Sequence, residues 1–222
     1  FPRIPGDVGN ASSYHFPVKF KTVRGATIKR VLKGTDPSLL QPFIDAAKEL
    51  EAEGVRAITT SCGFLAMYQE DIAKKLSIPL FSSSLMMVPL VQKMLGRGQI
   101  VGILTADSSS LSDRHLVGAG IDPDSPIIIA GLQEMEEFSK PMIRNEVSFD
   151  PIKVGEEMAS VAKGLLEKNP NIGAFVFECA NMSPYKYVVN QEVKLPVFCI
   201  IDFAYFIYNT VVVKDQFSYG FL

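Results

Sequence analysis

The sequence predicts an α/β protein, and three observations predict it. Short apolar runs alternate with amphipathic stretches of helical period. Two of the apolar runs end at a cysteine, and the order of elements around the first cysteine recurs around the second. Strands alternating with helices of this length need crossover connections, which give parallel sheets with helices on both faces.

Residues 1 to 17 are rich in Gly, Pro, Asn and Ser and read as a loop, and Val18 to Val31 alternates weakly, as one or two strands do. Asp36 and Pro37 then form a helix start, with Leu40, Phe43, Ile44, Ala47 and Leu50 at helical spacing until Gly54. Val55 to Thr60 is a strand running into Ser61-Cys62-Gly63. Phe64, Leu65, Tyr68, Ile72 and Leu76 give a second helix, and Ile78 to Phe81 a short strand ending at Ser82-Ser83-Ser84. A third helix is expected over Leu85 to Leu95, broken by Gly96 and Gly98. Ile100 to Leu104 is a strand, and the polar loop opened by Thr105-Ala106-Asp107 leads to a helix through His115 and Leu116. Pro126 to Leu132 reads as a strand, and the Glu- and Lys-rich stretch after it as an irregular or helical connection. Asp150-Pro151 repeats the capping pattern, Val154, Met158, Val161, Leu165 and Leu166 mark a helix, and Gly173 to Phe177 is the strand that delivers Cys179.

The two halves match in order: Asp-Pro, helix, strand, cysteine, helix, and a short strand containing proline. Pro79 follows Cys62 by 17 positions and Pro196 follows Cys179 by 17. Ligands of parallel α/β sheets bind beyond the carboxyl ends of the strands, where both cysteines lie. If a pseudo-twofold axis relates the halves, one thiol approaches each face of a ligand between them. The unpaired N–H groups at the start of each following helix are expected to stabilise a thiolate, lowering its pKa from the usual 8.5 or so.

The formal charge of −2 and the lack of any Lys/Arg block argue against a nucleic-acid partner or an anionic membrane surface. Pro, Gly, Lys or Asp interrupts every apolar run before membrane-spanning length. Three cysteines without C-x-x-C spacing fit a reducing cytoplasm, only two histidines argue against a catalytic zinc, and no nucleotide-binding glycine loop follows a strand. No metal and no cofactor are expected. The start at Phe1 reads as a chain whose first strand lies upstream.

At Thr60-Ser61-Cys62-Gly63, at Glu178-Cys179-Ala180-Asn181-Met182 with Pro184-Tyr185, at the two proline-containing strands and at the loop Pro5-Gly6-Asp7-Val8-Gly9-Asn10, the chain resembles the aspartate/glutamate racemase superfamily. The resemblance covers most of the chain. It implies two pseudo-symmetric α/β domains with the active site in the cleft between them, no cofactor, and a homodimer by family analogy. It also implies Cys62 and Cys179 as the acid/base pair, one thiolate removing a proton α to a carboxylate while the other thiol protonates the opposite face. Asp7, Asn10, Ser61, Gly63, Phe64, Ser82, Ser83, Thr105, Ala180 and Asn181 are the implied substrate-binding residues. Gly63-Phe64 replaces the family's Asn-Thr, with Phe64 narrowing the pocket, and Ala180 replaces a Thr. Cys-Ala-x-Met is closer to the hydantoin and allantoin racemases.

The resulting expectation is a cofactor-independent racemase or epimerase of a small carboxylate or amino-acid-like substrate. Alternatives are an isomerase or decarboxylase of small diacids on the same scaffold, or a non-catalytic protein that binds a small carboxylate. Cys199 reads as a buried hydrophobe. His115 reads as a solvated or capping residue, and His15 as a loop residue within reach of the cleft. Ser82 to Ser84 and Ser108 to Ser110 also read as helix caps. The expected domains are residues 1–97 with 202–222, and 98–201.

Overall fold

The computed structural model describes residues 1–32 and 36–213, so part of the stretch 202–222 lies outside the described residues. After an N-terminal loop comes α1 (Ile28–Leu32), then α2 (Leu40–Ala52), β1 (Ile58–Thr59), α3 (Gln69–Ala73), β2 (Leu80–Phe81), α4 (Val88–Met94) and β3 (Ile100–Thr105). The second half adds α5 (Asp113–Gly118), β4 (Ile127–Gly131), α6 (Glu136–Met142), α7 (Pro151–Lys168), β5 (Ile172–Phe177), α8 (Lys186–Val193), β6 (Val197–Phe198) and α9 (Ile200–Val211). β1 and β2 pair in parallel, and β4-β3-β5-β6 form a four-stranded parallel sheet. The fold is α/β, with parallel sheets flanked by helices.

The sequence repeat is a structural repeat. Ile58 and Thr59 register against Leu80 and Phe81, and Phe175 and Val176 register against Val197 and Phe198, the same separation in both halves. Cys62 follows the registered residue Thr59 by three positions, and Cys179 follows Val176 by three. The Asp-Pro starts behave as expected: Asp36 accepts the Ser38 N–H at 3.1 Å, and Asp150 accepts the Ile152 N–H at 2.9 Å.

β5 is buried along its whole length because both of its faces are covered. Phe175 and Phe177 join Leu104 under α7 and α8, packing with Val154, Met158 and Val189. Ala174 and Val176, alternating to the other face, meet Val101, Ile103 and the α4 residues Val88 and Val91. Ile44 and Ala47 of α2 and Ile72 of α3 cover Ile58 and Leu80. A further cluster of Val8, Phe81, Ala180, Ile200 and Ala204 ties the N-terminal loop and α9 to both repeats.

Three local expectations are corrected. Val18 to Val31 holds no strand: Lys19 ion-pairs with Glu53 just past α2 and Lys21 with Glu49 within it, no strand among the described residues pairs with the stretch, and it ends in α1. The helix expected from Leu85 begins as a 3-10 turn over Ser84–Met87, and the α-helix starts only at Val88, with Pro89 in its first turn. The helices after both cysteines also open as 3-10 turns of six residues, Gly63–Tyr68 and Ala180–Tyr185.

α5 sits directly on the first of these turns. A Cβ on Gly118 would overlap the Ala66 carbonyl oxygen, so the backbones meet without a side chain between them. Gly118→Ala is therefore expected to lower stability by about 1–3 kcal/mol, the usual cost of overpacking, read as the shift of the urea unfolding midpoint.

Candidate active site

Cys62 and Cys179 each occupy the position before a 3-10 turn at the carboxyl end of a strand. The two turns abut. A Cβ on Gly63 would overlap the carbonyl and carboxylate oxygens of Glu178, the residue before Cys179. Glycine at this place lets the backbone of one cysteine turn rest against the other. The Ser84 hydroxyl secures the same junction, donating to the carbonyl of Phe177, with the Glu178 carbonyl at 3.3 Å.

The N-terminal loop closes over this pair. Arg3 donates from one guanidinium nitrogen to Asp7 at 3.1 Å and to the side-chain oxygen of Asn181, and its guanidinium lies 4.5 Å from the Phe1 ring centre. Asp7 is only 2 % exposed and also accepts the Gly9 N–H at 2.7 Å. Burial raises its pKa despite the Arg3 charge beside it. Burial, and then the charge of Asp7, push up the hydroxyls of Tyr14 and Tyr185.

Neither thiol is lowered, and the expectation of depressed pKa values is corrected. Burial pushes Cys62 up to about 12, the Glu178 carboxylate pushes the same way, and the Phe64 amide and Arg3 pull back only partly. Cys179 is raised well above its ordinary value, by burial, by Glu178 and by Cys62, against the Asn181 amide. The amide donors at the turn starts are present as expected. Desolvation of a charged thiolate outweighs them.

Glu178 is the functional candidate the sequence reading missed. It is 1 % exposed, its Oε2 accepts the Thr105 hydroxyl at 2.7 Å, and its Oε1 is buried without a hydrogen-bond partner. Burial raises its pKa to about 7, against the Thr105 hydroxyl and the Ala106 amide. The available signal was a charged residue closing the apolar run of β5. Arg3 was also missed, since a lone arginine in a Pro/Gly loop carries no signal of its own.

The other candidates are placed as follows. Asp7, Asn181, Gly63 and Ala180 gather around the thiols, Asp7 and Asn181 through Arg3. The Asn10 amide is used inside the loop, donating to the Arg3 carbonyl at 2.7 Å and accepting the Ser12 N–H at 2.9 Å. Thr105 is committed to Glu178. Ser83 accepts the Leu85 N–H at 3.1 Å as a cap, and Ser82 is buried with its hydroxyl unpartnered. Ser61 is exposed. The Phe64 ring packs edge-on against His115 at 4.9 Å, inside the core. His115 forms a capping box with Ser112, as a capping reading requires, but is buried rather than solvated. His15 is exposed and lies 4.6 Å from the Tyr205 ring of α9. Buried Cys199 holds the start of α9 through Asp202, whose carboxylate accepts its N–H at 2.9 Å. Among the described residues no three His, Cys, Asp or Glu side chains converge as a metal site, and no helix is long and apolar enough to cross a membrane.

Solved structures with this architecture are glutamate racemase from Bacillus anthracis, at TM-score 0.55 and 9 % identity over 86 % of this chain and 69 % of that one, and arylmalonate decarboxylase, at TM-score 0.54 and 11 % identity over 78 % and 76 %. An aspartate racemase homologue from Pyrococcus horikoshii gives TM-score 0.52 and 18 % identity over 77 % and 74 %. The fold is thus that of the aspartate/glutamate racemase superfamily. No protein-family model matches the chain. Its sequence relatives are narrower: a dimethylsulfoniopropionate lyase from Durusdinium is 31 % identical over 99 % of this chain and 71 % of its own length. Dimethylsulfoniopropionate lyases 7 and 6 of Emiliania huxleyi are 33 % and 31 % identical over 89 % of this chain, which spans 60 % and 54 % of them. The chain belongs to the dimethylsulfoniopropionate lyase family, a family of enzymes. This overturns the expected racemase or epimerase, together with the diacid isomerase or decarboxylase and the non-catalytic alternative, because the relatives are named as lyases of dimethylsulfoniopropionate. Fold and paired cysteines do not distinguish these chemistries.

The raised Glu178 carboxyl has a consequence for stability. Between its ordinary value of 4.5 and about 7 the folded protein holds a proton that the unfolded chain has lost. This contribution is full below the lower value and fades as pH rises to the upper one, by on the order of 3 kcal/mol. Urea unfolding across this window is expected to show wild-type stability falling relative to Glu178→Gln as pH rises.

Proposed function

We propose that the chain cleaves dimethylsulfoniopropionate into dimethyl sulfide and acrylate by elimination. The observation that carries this reading is the convergence of two thiols and the Arg3 guanidinium in a member of the lyase family. The substrate has a carboxylate at one end and a sulfonium cation at the other, two methylene groups apart. A base takes a proton from the carbon beside the carboxylate, and the freed pair forms the C=C bond. As the C=C bond forms, the C–S bond breaks with its electrons kept by sulfur. The base keeps the proton, so atoms and charge balance.

An elimination needs a base on one face of the substrate only. Cys62 is that base in this reading, since it is half-buried and the Arg3 charge favours its thiolate, whereas Cys179 is buried and has Asp7 opposing its thiolate. The substrate supplies what the protein lacks, because a sulfonium cation in a dry site favours an adjacent thiolate. Arg3 is the group that would hold the carboxylate, in the paired geometry guanidinium favours.

Headspace measurement of dimethyl sulfide tests this. Cys62→Ser is expected to lower turnover by about 10²–10⁴-fold, the usual span for loss of a positioned base. Arg3→Gln is expected to raise KM more than it lowers kcat. Full turnover retained in both Cys62→Ser and Cys179→Ser would refute the reading.

A further inference from the structure

Glu178 is a buried titratable group that the elimination does not itself use. It precedes Cys179 directly, and its unpartnered Oε1 is pressed against Gly63, the residue after Cys62. From β3 it is faced by the Thr105 hydroxyl and the Ala106 amide, and from the turn before α4 by Ser84, which meets its carbonyl. Its charge acts on the thiols of both cysteine turns. Arg3 acts on Cys62 and Asp7 on Cys179, both from the N-terminal loop. Among the described residues Glu178 has no salt-bridge partner of its own.

A carboxylate enclosed this way interacts strongly with any second negative charge nearby, because little water screens it. Glu178 and the two thiols are therefore three acids in one dry place, whose ionisations oppose one another. We infer that Glu178 is a positioning residue that gates the thiols: ionised, it holds Cys62 and Cys179 protonated, and neutral, it frees either to become a thiolate. Burial that brings its carboxyl to about 7 places the change of state near neutral pH. Cys199 is outside the gate, since burial and Asp202 set its thiol. The inference rests on the reading of Cys62 as the reacting thiol and adds the group that controls it.

Alkylation of the whole chain by iodoacetamide from pH 6 to 10, followed at each cysteine by mass spectrometry, tests the gate without substrate. Loss of a single pKa unit raises the thiolate fraction about tenfold, and the accompanying loss of nucleophilicity trims this to about threefold. Glu178→Gln is thus expected to speed alkylation of Cys62 and Cys179 at pH 8 by about three- to tenfold, with Cys199 unchanged. Thr105→Val keeps the carboxyl but removes a donor to its charged form, and is expected to move both rates the same way by less. Unchanged rates at Cys62 and Cys179 in folded Glu178→Gln overturn the inference, and so does an equal rise at Cys199, which marks general loosening. Should Glu178→Gln fail to fold, unchanged rates in Thr105→Val overturn it. Because no substrate is present, this failure is distinct from failure to release dimethyl sulfide.

Discussion

The contact on which the site depends is the approach of Gly63 to Glu178. It joins the end of β1 to the end of β5, two elements far apart in sequence, with no side chain between their backbones. Any Cβ at residue 63 would push the first cysteine turn away from the second, and the thiols with it. Ser84 reinforces the junction by donating to the Phe177 carbonyl beside it. The packing around this point is correspondingly tight. Phe64, Ala66 and Leu85 on one side, and Phe177 and Met182 on the other, are all but excluded from solvent.

The repeat supplies two similar frames, and the proposed chemistry draws on where they differ. Thr59 and Val176 hold equivalent places against Phe81 and Phe198, so Cys62 matches Cys179 and Ser61 matches Glu178. Ser61 is exposed while Glu178 is sealed in. Cys62 is half-buried while Cys179 is buried. A racemase has to use both thiols in turn, which asks for matched environments on both faces. An elimination asks for one base, and the unequal frames fit that demand better.

The strand-to-cysteine units were legible in the sequence because apolar runs and Asp-Pro starts act locally, and local signals survive without knowledge of the partner strand. The 3-10 openings were not, since Gly63–Tyr68 and Ala180–Tyr185 carry the same apolar spacing an α-helix would. Cys62 and Cys179 stood out by repetition, whereas Asp7 and Asn181 entered only through the family resemblance. Arg3 did neither, because its meaning comes from a contact spanning nearly the whole chain, with Asn181. Thr105 and Phe64 were legible as site-lining positions, but what occupies them is structural: one hydroxyl is committed to Glu178 and one ring to His115. The chemistry was misread for a related reason. A pair of thiols fixes proton transfer, whereas the bond that breaks afterwards is decided by the ligand's leaving group, of which this chain's motifs carry no trace.

The same electrostatics that oppose thiolate formation select for the proposed substrate. A neutral or purely anionic ligand would enter a site where burial already raises Cys62, Cys179, Glu178 and Asp7, and would bring nothing that favours a thiolate. A ligand with a fixed cation reverses the balance, because a positive charge in a poorly hydrated place stabilises whichever neighbouring acid ionises. The sulfonium group therefore acts twice in the proposed reaction. It makes the base before it departs as the leaving group, and once it has left as neutral dimethyl sulfide the stabilised thiolate is no longer needed. A protein that lowered its own thiols permanently would gain a base at rest but would also expose it to oxidation and alkylation. In the proposed reaction, holding both thiols raised until a cation arrives ties their reactivity to the presence of that substrate.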